Sequence, residues 1–227
     1  LPCHVGSQVF GGDVYHRTLD IMVPVLSQIR DETGVTLSDL NLGGGYGVRY
    51  TAEDEAINIP ARLAELAAHL EEETERLGLP MPRFLMEPGR SIVADAGMTL
   101  YTVGSVKRIP GYKQYAAVDG GMTDNPRYAL YQSRYTVYHA HKSGSMERFD
   151  VVGRCCESGD IIQPGVELPG DTCRGDILAV CTTGAYNYSM ASNYNRLPRP
   201  AVVMLTPDRI YEAVRQETFA DLTALDL

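Results

Sequence analysis

The sequence predicts an α/β half followed by a mostly antiparallel β half, and three observations carry that prediction. Up to about residue 95, short strand-like runs alternate with longer runs of helical period, the pattern of a parallel sheet. From residue 96 to 227 that period disappears, and β-rich runs follow one another between Gly, Pro, Asp and Ser turns. With 44% hydrophobic and 22% charged residues, 227 residues suffice for one or two domains with real cores. We therefore expect one domain over residues 1–95 and a β-rich one over residues 96–227.

Taken in order, Leu1 to His4 reads as a strand end, with no methionine and no charged-then-apolar leader before it, as in a fragment. Residues 13–33 place Tyr15, Leu19, Met22, Val23, Leu26 and Ile29 on one helical face, with Gly34 as the cap. Pro24 inside that pattern implies a kink or a late start. Residues 39–42 form a short strand running into Gly43-Gly44-Gly45. Residues 60–77 form a helix, with Pro60 in its first turn and Leu63, Leu66, Ala67, Leu70 and Leu77 on one face. Residues 83–86 form the next strand, ending at Glu87-Pro88-Gly89-Arg90. The expected strands of the second half are 99–109, 115–118, 134–139, 150–152, 176–182 and 201–205.

Charge and cysteine content narrow the function classes. A net charge of −9 argues against a nucleic-acid partner, whose phosphates require a basic patch. The acidic run Glu71-Glu72-Glu73 sits on a helical pattern and reads as a solvated face. No apolar run is long enough to span a bilayer. Five cysteines without CxxC spacing point to free thiols in a reducing cytoplasm and to no metal site.

Three strand ends carry unusual residues. Gly43-Gly44-Gly45 either makes a tight turn or lets backbone N–H groups face an anion such as phosphate. Glu87-Pro88-Gly89-Arg90 is either a surface turn with an ion pair or a ligand grip. In the second case Glu87 keeps a ring nitrogen protonated, Gly89 offers its N–H, and Arg90 clamps an anion. His4 is a structural residue or a ring that stacks on a cofactor, and Ser7 can donate to phosphate. In a barrel of parallel strands such ends would meet at one mouth.

The β half adds further groups. Arg127 and Tyr131, four residues apart, would share a helical face able to grip a carboxylate, or would lie on a surface turn. Cys155-Cys156-Glu157-Ser158-Gly159-Asp160 sets thiols beside two carboxylates. A cysteine there can shuttle a proton and Glu157 can bind an ammonium, although paired cysteines are more often inert. Tyr186, after a strand, binds phosphate or packs in the core.

Six segments in this order resemble the fold-type III, alanine-racemase-like decarboxylases that use pyridoxal 5'-phosphate (PLP). They are HVGSQ at 4–8, LGGGYG at 42–47, EPGR at 87–90, DGGMTDNPRYALY at 119–131, CESGD at 156–160 and GAYNYSMASNYN at 184–195. The resemblance implies the second half of a (β/α)8 barrel followed by the β domain, in a head-to-tail homodimer with shared active sites. It implies His4 stacked on the PLP ring and Glu87 on its nitrogen. Ser7, Gly44, Gly45, Gly89, Arg90 and Tyr186 would lie about the cofactor, mostly at its phosphate. Arg90, Arg127 and Tyr131 would bind the substrate carboxylate, which Tyr186 also touches. Cys156 would donate a proton in the partner's site, with Glu157 beside it on the substrate.

The CES triplet favours a diaminopimelate substrate, decarboxylated to lysine, because ornithine and arginine relatives usually carry aspartate after the cysteine. The resemblance leaves open a decarboxylase of another basic amino acid, or a non-catalytic binding protein of the same fold. The family's Schiff-base lysine precedes the HVGSQ segment, and none of Lys107, Lys113 and Lys142 stands in that context. The chain by itself is therefore expected to be inactive.

Overall fold

Helix α1 (Asp13–Thr33) buries Tyr15, Leu19, Val23 and Leu26, a spacing that keeps one face inward. It ends at Gly34, whose φ of 72° is the left-handed cap conformation. The helix starts at Asp13 and continues through Pro24, so the expected late start does not occur. A mid-helix proline costs about 3 kcal/mol. Pro24 is exposed, and the buried side chains around it, each worth roughly 1.5–3 kcal/mol, outweigh that cost.

These helices and strands belong to a computed structural model describing residues 1–227. The chain divides into two units, Leu1–Asp95 and Ala96–Leu227.

In the first unit, β1 (Asp39–Asn41) is followed by α2 (Ile59–Arg76), β2 (Arg83–Leu85) and the short α3 (Gly89–Val93). Asn58 caps α2 by accepting the Ala61 N–H at 3.2 Å, and Pro60 occupies the first turn. Leu66 and Leu70 of α2 pack with the buried face of α1 and with Leu40, Leu42 and Tyr46. Strands β1 and β2 are parallel, with Asp39 opposite Arg83 and Asn41 opposite Leu85. Pro2 bridges Asn41, also in parallel, so the chain start forms a third rung.

The second unit holds β3 (Met98–Arg108), β4 (Gln114–Val118), α4 (Arg127–Tyr131), β5 (Val137–His139), β6 (Met146–Val152), β7 (Ile161–Pro169) and β8 (Ile177–Cys181). Its six-stranded sheet runs in the order β5-β8-β3-β4-β6-β7, antiparallel except for the β4–β6 pair. Tyr101 and Val103, Ala116 and Val118, Phe149 and Val151, and Leu178 and Val180 are buried two apart, the alternation of a sheet with one inner face. A two-stranded antiparallel hairpin of β9 (Val202–Leu205) and β10 (Ile210–Val214) follows, then α5 (Phe219–Leu222).

Strands β7 and β10 and the short helices α3 and α5 have no counterpart among the expected strands and helices. Strand β7 contains Pro164 and Gly165, which read as a turn. It is tolerated because β7 is an edge strand, where a proline need not donate to a ladder. Its pairing with β6 shifts register there, and Gly165 adopts a φ of 67°. All five residues of β10 are exposed, which leaves no alternation to read, and the four residues of α5 are too few for a period.

Candidate active site

The parallel ladder of the first unit continues beyond its strands. Cys3 donates its N–H to Asn41 O at 2.8 Å, Leu42 to Leu85 O at 3.1 Å, and Glu87 to Gly43 O at 2.7 Å. These bonds bring the ends at His4, Gly43–Gly45 and Glu87 together. The glycines permit that approach. A Cβ would lie 2.7 Å from His4 Nδ1 at Gly43, 2.1 Å from Glu87 O at Gly44 and 2.5 Å from Gly6 O at Gly45. Gly43 and Gly45 also hold left-handed φ angles of 68° and 109°.

His4, Ser7, Glu87 and Gly89 are exposed around this cradle, whereas Arg90 is buried. Arg90 donates to Ser7 Oγ at 2.8 Å and to the Tyr50 hydroxyl. Glu87 Oε1 accepts from Asn41 Nδ2 at 2.7 Å. The Gly44 and Gly45 N–H groups donate to no protein oxygen. Gly89 spends its N–H on Glu87 O at 2.8 Å, and no atom lies within 4 Å of where its Cβ would be.

In the second unit, α4 sets Arg127 and Tyr131 one turn apart. The Arg127 guanidinium carbon lies 4.7 Å from the Tyr131 ring centroid and 5.6 Å from that of Tyr186. Arg127 is only 8% exposed, and its Nε has no hydrogen-bond partner. Tyr186 holds a φ of 64°, the left-handed region that residues other than glycine adopt uncommonly.

The adjacent cysteines differ. Burial, and then the neighbouring Asp160 carboxylate, push the Cys155 thiol up to about 11. The Cys156 thiol is exposed, and its backbone N–H donates to Asn195 Oδ1 at 2.9 Å. Glu157 is exposed and accepts the Tyr194 hydroxyl at 3.2 Å on Oε2. Asp160, grouped with them on sequence alone, is instead a buried organiser of the loop. It accepts the Met122 and Cys155 N–H groups, each at 2.6 Å. A Cβ at Gly121 or Gly153 would fall 2.6 or 2.2 Å from its oxygens.

Asn41, Tyr50, Tyr194 and Asn195 touch these groups, and sequence reasoning gave them no role. Only the motif containing Tyr194 and Asn195 signalled any of them. Lys113 pairs with Asp150 at 2.6 Å and Lys142 with Asp176 at 2.7 Å, both in the second unit.

A family model described as pyridoxal-dependent decarboxylase, C-terminal sheet domain, matches residues 13–184. The chain belongs to this decarboxylase family. It is 44% identical to the diaminopimelate decarboxylase of Bacillus subtilis over 99% of this chain and 52% of that protein. It is 39% identical to that of Staphylococcus aureus over the same shares, 99% and 52%. The solved structure of diaminopimelate decarboxylase from M. jannaschii with L-lysine matches 100% of this chain and 51% of that chain, with a TM-score of 0.93 and 30% identity. The chain spans about half the length of the curated relatives it matches. Its fold is accordingly the expected part-barrel followed by the decarboxylase sheet domain. No helix is long and apolar enough to cross a membrane.

The first unit fits the cofactor that gives this decarboxylase family its name. Its cradle offers donors for a phosphate at Ser7, Gly44, Gly45 and the buried Arg90, and one carboxylate, Glu87, suited to a ring nitrogen.

Proposed function

We propose that the full-length protein decarboxylates meso-2,6-diaminopimelate to L-lysine and carbon dioxide with pyridoxal 5'-phosphate. The observation that carries the reading is Arg127. A guanidinium stacked between Tyr131 and Tyr186, 8% exposed and with an unpartnered Nε, calls for an anion from outside the chain. A substrate carboxylate supplies one. The similar M. jannaschii enzyme was crystallised with L-lysine, the product of this reaction.

In this reading Ser7, Gly44, Gly45 and Arg90 hold the cofactor phosphate, His4 stacks on the ring, and Glu87 keeps its nitrogen protonated; Gly89, its N–H already given to Glu87 O, serves by leaving space beside them. When bound, the cofactor supplies an electron sink for the pair left by the departing carboxylate. Arg127 and Tyr131 hold the carboxylate that stays. Glu157 binds the distal ammonium. Cys156 Sγ delivers a proton to the carbon that lost its carboxylate. Cys156 and Glu157 serve the partner's site in a head-to-tail homodimer. The five free cysteines support a cytoplasmic setting.

The test is carbon dioxide release by the full-length protein from diaminopimelate, ornithine and arginine. Diaminopimelate should be turned over preferentially, and Glu157→Asp should erode that preference. Turnover of ornithine or arginine with none of diaminopimelate would replace the substrate. No turnover of any of them would favour a binding protein.

A further inference from the structure

We infer that Tyr194 and Asn195 are positioning residues that set Glu157 and Cys156 for the reaction, and that the chain's last segment locks them in place. The inference rests on the roles proposed above for Cys156 and Glu157.

Neither Cys156 nor Glu157 lies on a strand or helix; both sit in an exposed loop. An exposed loop is mobile unless something external fixes it, and a proton donor must be placed to within a fraction of an ångström. Asp160 anchors the Cys155 end of the loop, and the contacts that reach Cys156 and Glu157 from a distant segment come from one short 3-10 turn, Tyr194–Arg196. Asn195 Oδ1 accepts the Cys156 N–H at 2.9 Å, and the Tyr194 hydroxyl donates to Glu157 Oε2 at 3.2 Å. One turn therefore grips the backbone of the thiol residue and the carboxylate of its neighbour. Asn195 does so at a φ of 56°, a left-handed conformation that asparagine tolerates better than most residues.

That turn is tied to the final segment. Glu217 accepts Asn193 Nδ2 at 2.6 Å, and from Arg199 both the backbone N–H and Nε at 2.8 Å. Arg196 donates to Leu222 O at 2.9 Å and to Asp226 at 2.7 Å. The residues flanking Tyr194 and Asn195 are thus fixed on both sides. The family model ends at residue 184, so this brace lies outside the matched sheet domain.

The two contacts have separable consequences. Tyr194 acts on the carboxylate that reads the distal ammonium. Tyr194→Phe in the full-length protein should therefore raise KM for diaminopimelate about tenfold and leave kcat within about threefold. Asn195 acts on the backbone beneath the thiol, so its loss should lower kcat about tenfold with little change in KM. Asn195→Gly keeps the left-handed backbone but removes the acceptor, and Asn195→Asp restores the acceptor and should recover the rate.

Hydrogen–deuterium exchange gives a readout independent of catalysis. Asn195→Gly should speed exchange of the Cys156 amide at least tenfold, and Glu217→Gln should do the same more weakly. Unchanged KM and kcat in Tyr194→Phe and Asn195→Gly, with unchanged exchange at Cys156, would overturn the inference. If the wild-type protein releases no carbon dioxide, the functional reading fails, and exchange in Asn195→Gly still decides whether the brace exists.

Discussion

At the scale of single residues, identical side chains are separated by their surroundings. Cys155 and Cys156 are neighbours, yet one thiol is half-buried against Asp160 and the other faces solvent. With Cys155 held up to about 11, only about one in 10³ of its thiols is ionised at pH 8. Iodoacetamide at that pH should modify Cys156 and spare Cys155, as peptide mass mapping would show. Equal labelling of both would refute the distinction. Arg127 presents the opposite case, a buried guanidinium whose Nε has no hydrogen-bond partner, which the proposed function assigns to the substrate carboxylate. Arg127→Met should leave the urea midpoint unchanged or raise it, because a shape-matched apolar side chain relieves the desolvation cost. The same variant should lose at least about 100-fold in kcat/KM. Gly44 is constrained by contact alone, since a Cβ would stand 2.1 Å from Glu87 O. Gly44→Ala should destabilise the protein by about 1–3 kcal/mol in urea unfolding.

At the scale of elements, the final segment acts as a clamp whose strength depends on pH. Hydrogen bonds from the Arg199 side chain, and then from the Arg199 backbone and Asn193, hold the Glu217 carboxyl down at about 2. A carboxyl depressed in the folded state stabilises it above the unfolded value, and that contribution is lost as pH falls towards the folded one. The clamp should therefore hold at pH 5 and above and release between about pH 4.5 and 2. The protection factors of the amides over residues 193–199, corrected for intrinsic exchange, should fall in that window and stay constant from pH 5 to 8. Helix α5 also has its own start signal. Thr218 and Asp221 form a reciprocal capping box, so Thr218→Ala should loosen the clamp even at neutral pH.

At the scale of the whole molecule, the lysine inventory limits what this chain does by itself. Lys113 and Lys142 are held in ion pairs that raise their pKa and keep them protonated, and a protonated amine is no nucleophile. Mixing this chain with pyridoxal phosphate should give no visible absorbance of a lysine-bound cofactor, and borohydride should leave no stoichiometric label on Lys107, Lys113 or Lys142. A stoichiometric label on any of them would show that the chain carries its own anchor.

Helices α1 and α2 were legible in the sequence because each buries one face, and burial imposes a period on the residues; β1 and β2 were legible as the short strand-like runs that follow them. The glycine run and the residues at the strand ends were legible as unusual for the same local reason. Strand β7 was hidden because its proline is harmless only at a sheet edge, and edge position is a property of the assembled sheet. The separate fates of Cys155, Cys156 and Asp160, and the hold of Tyr194 and Asn195 on their loop, depend on contacts between residues up to 39 apart. The sequence by itself determined which chemical groups the chain owns and which faces it must bury. Only the tertiary structure decided which of those groups are desolvated, which are paired and which remain available to a ligand, because burial and partnership arise when distant segments meet.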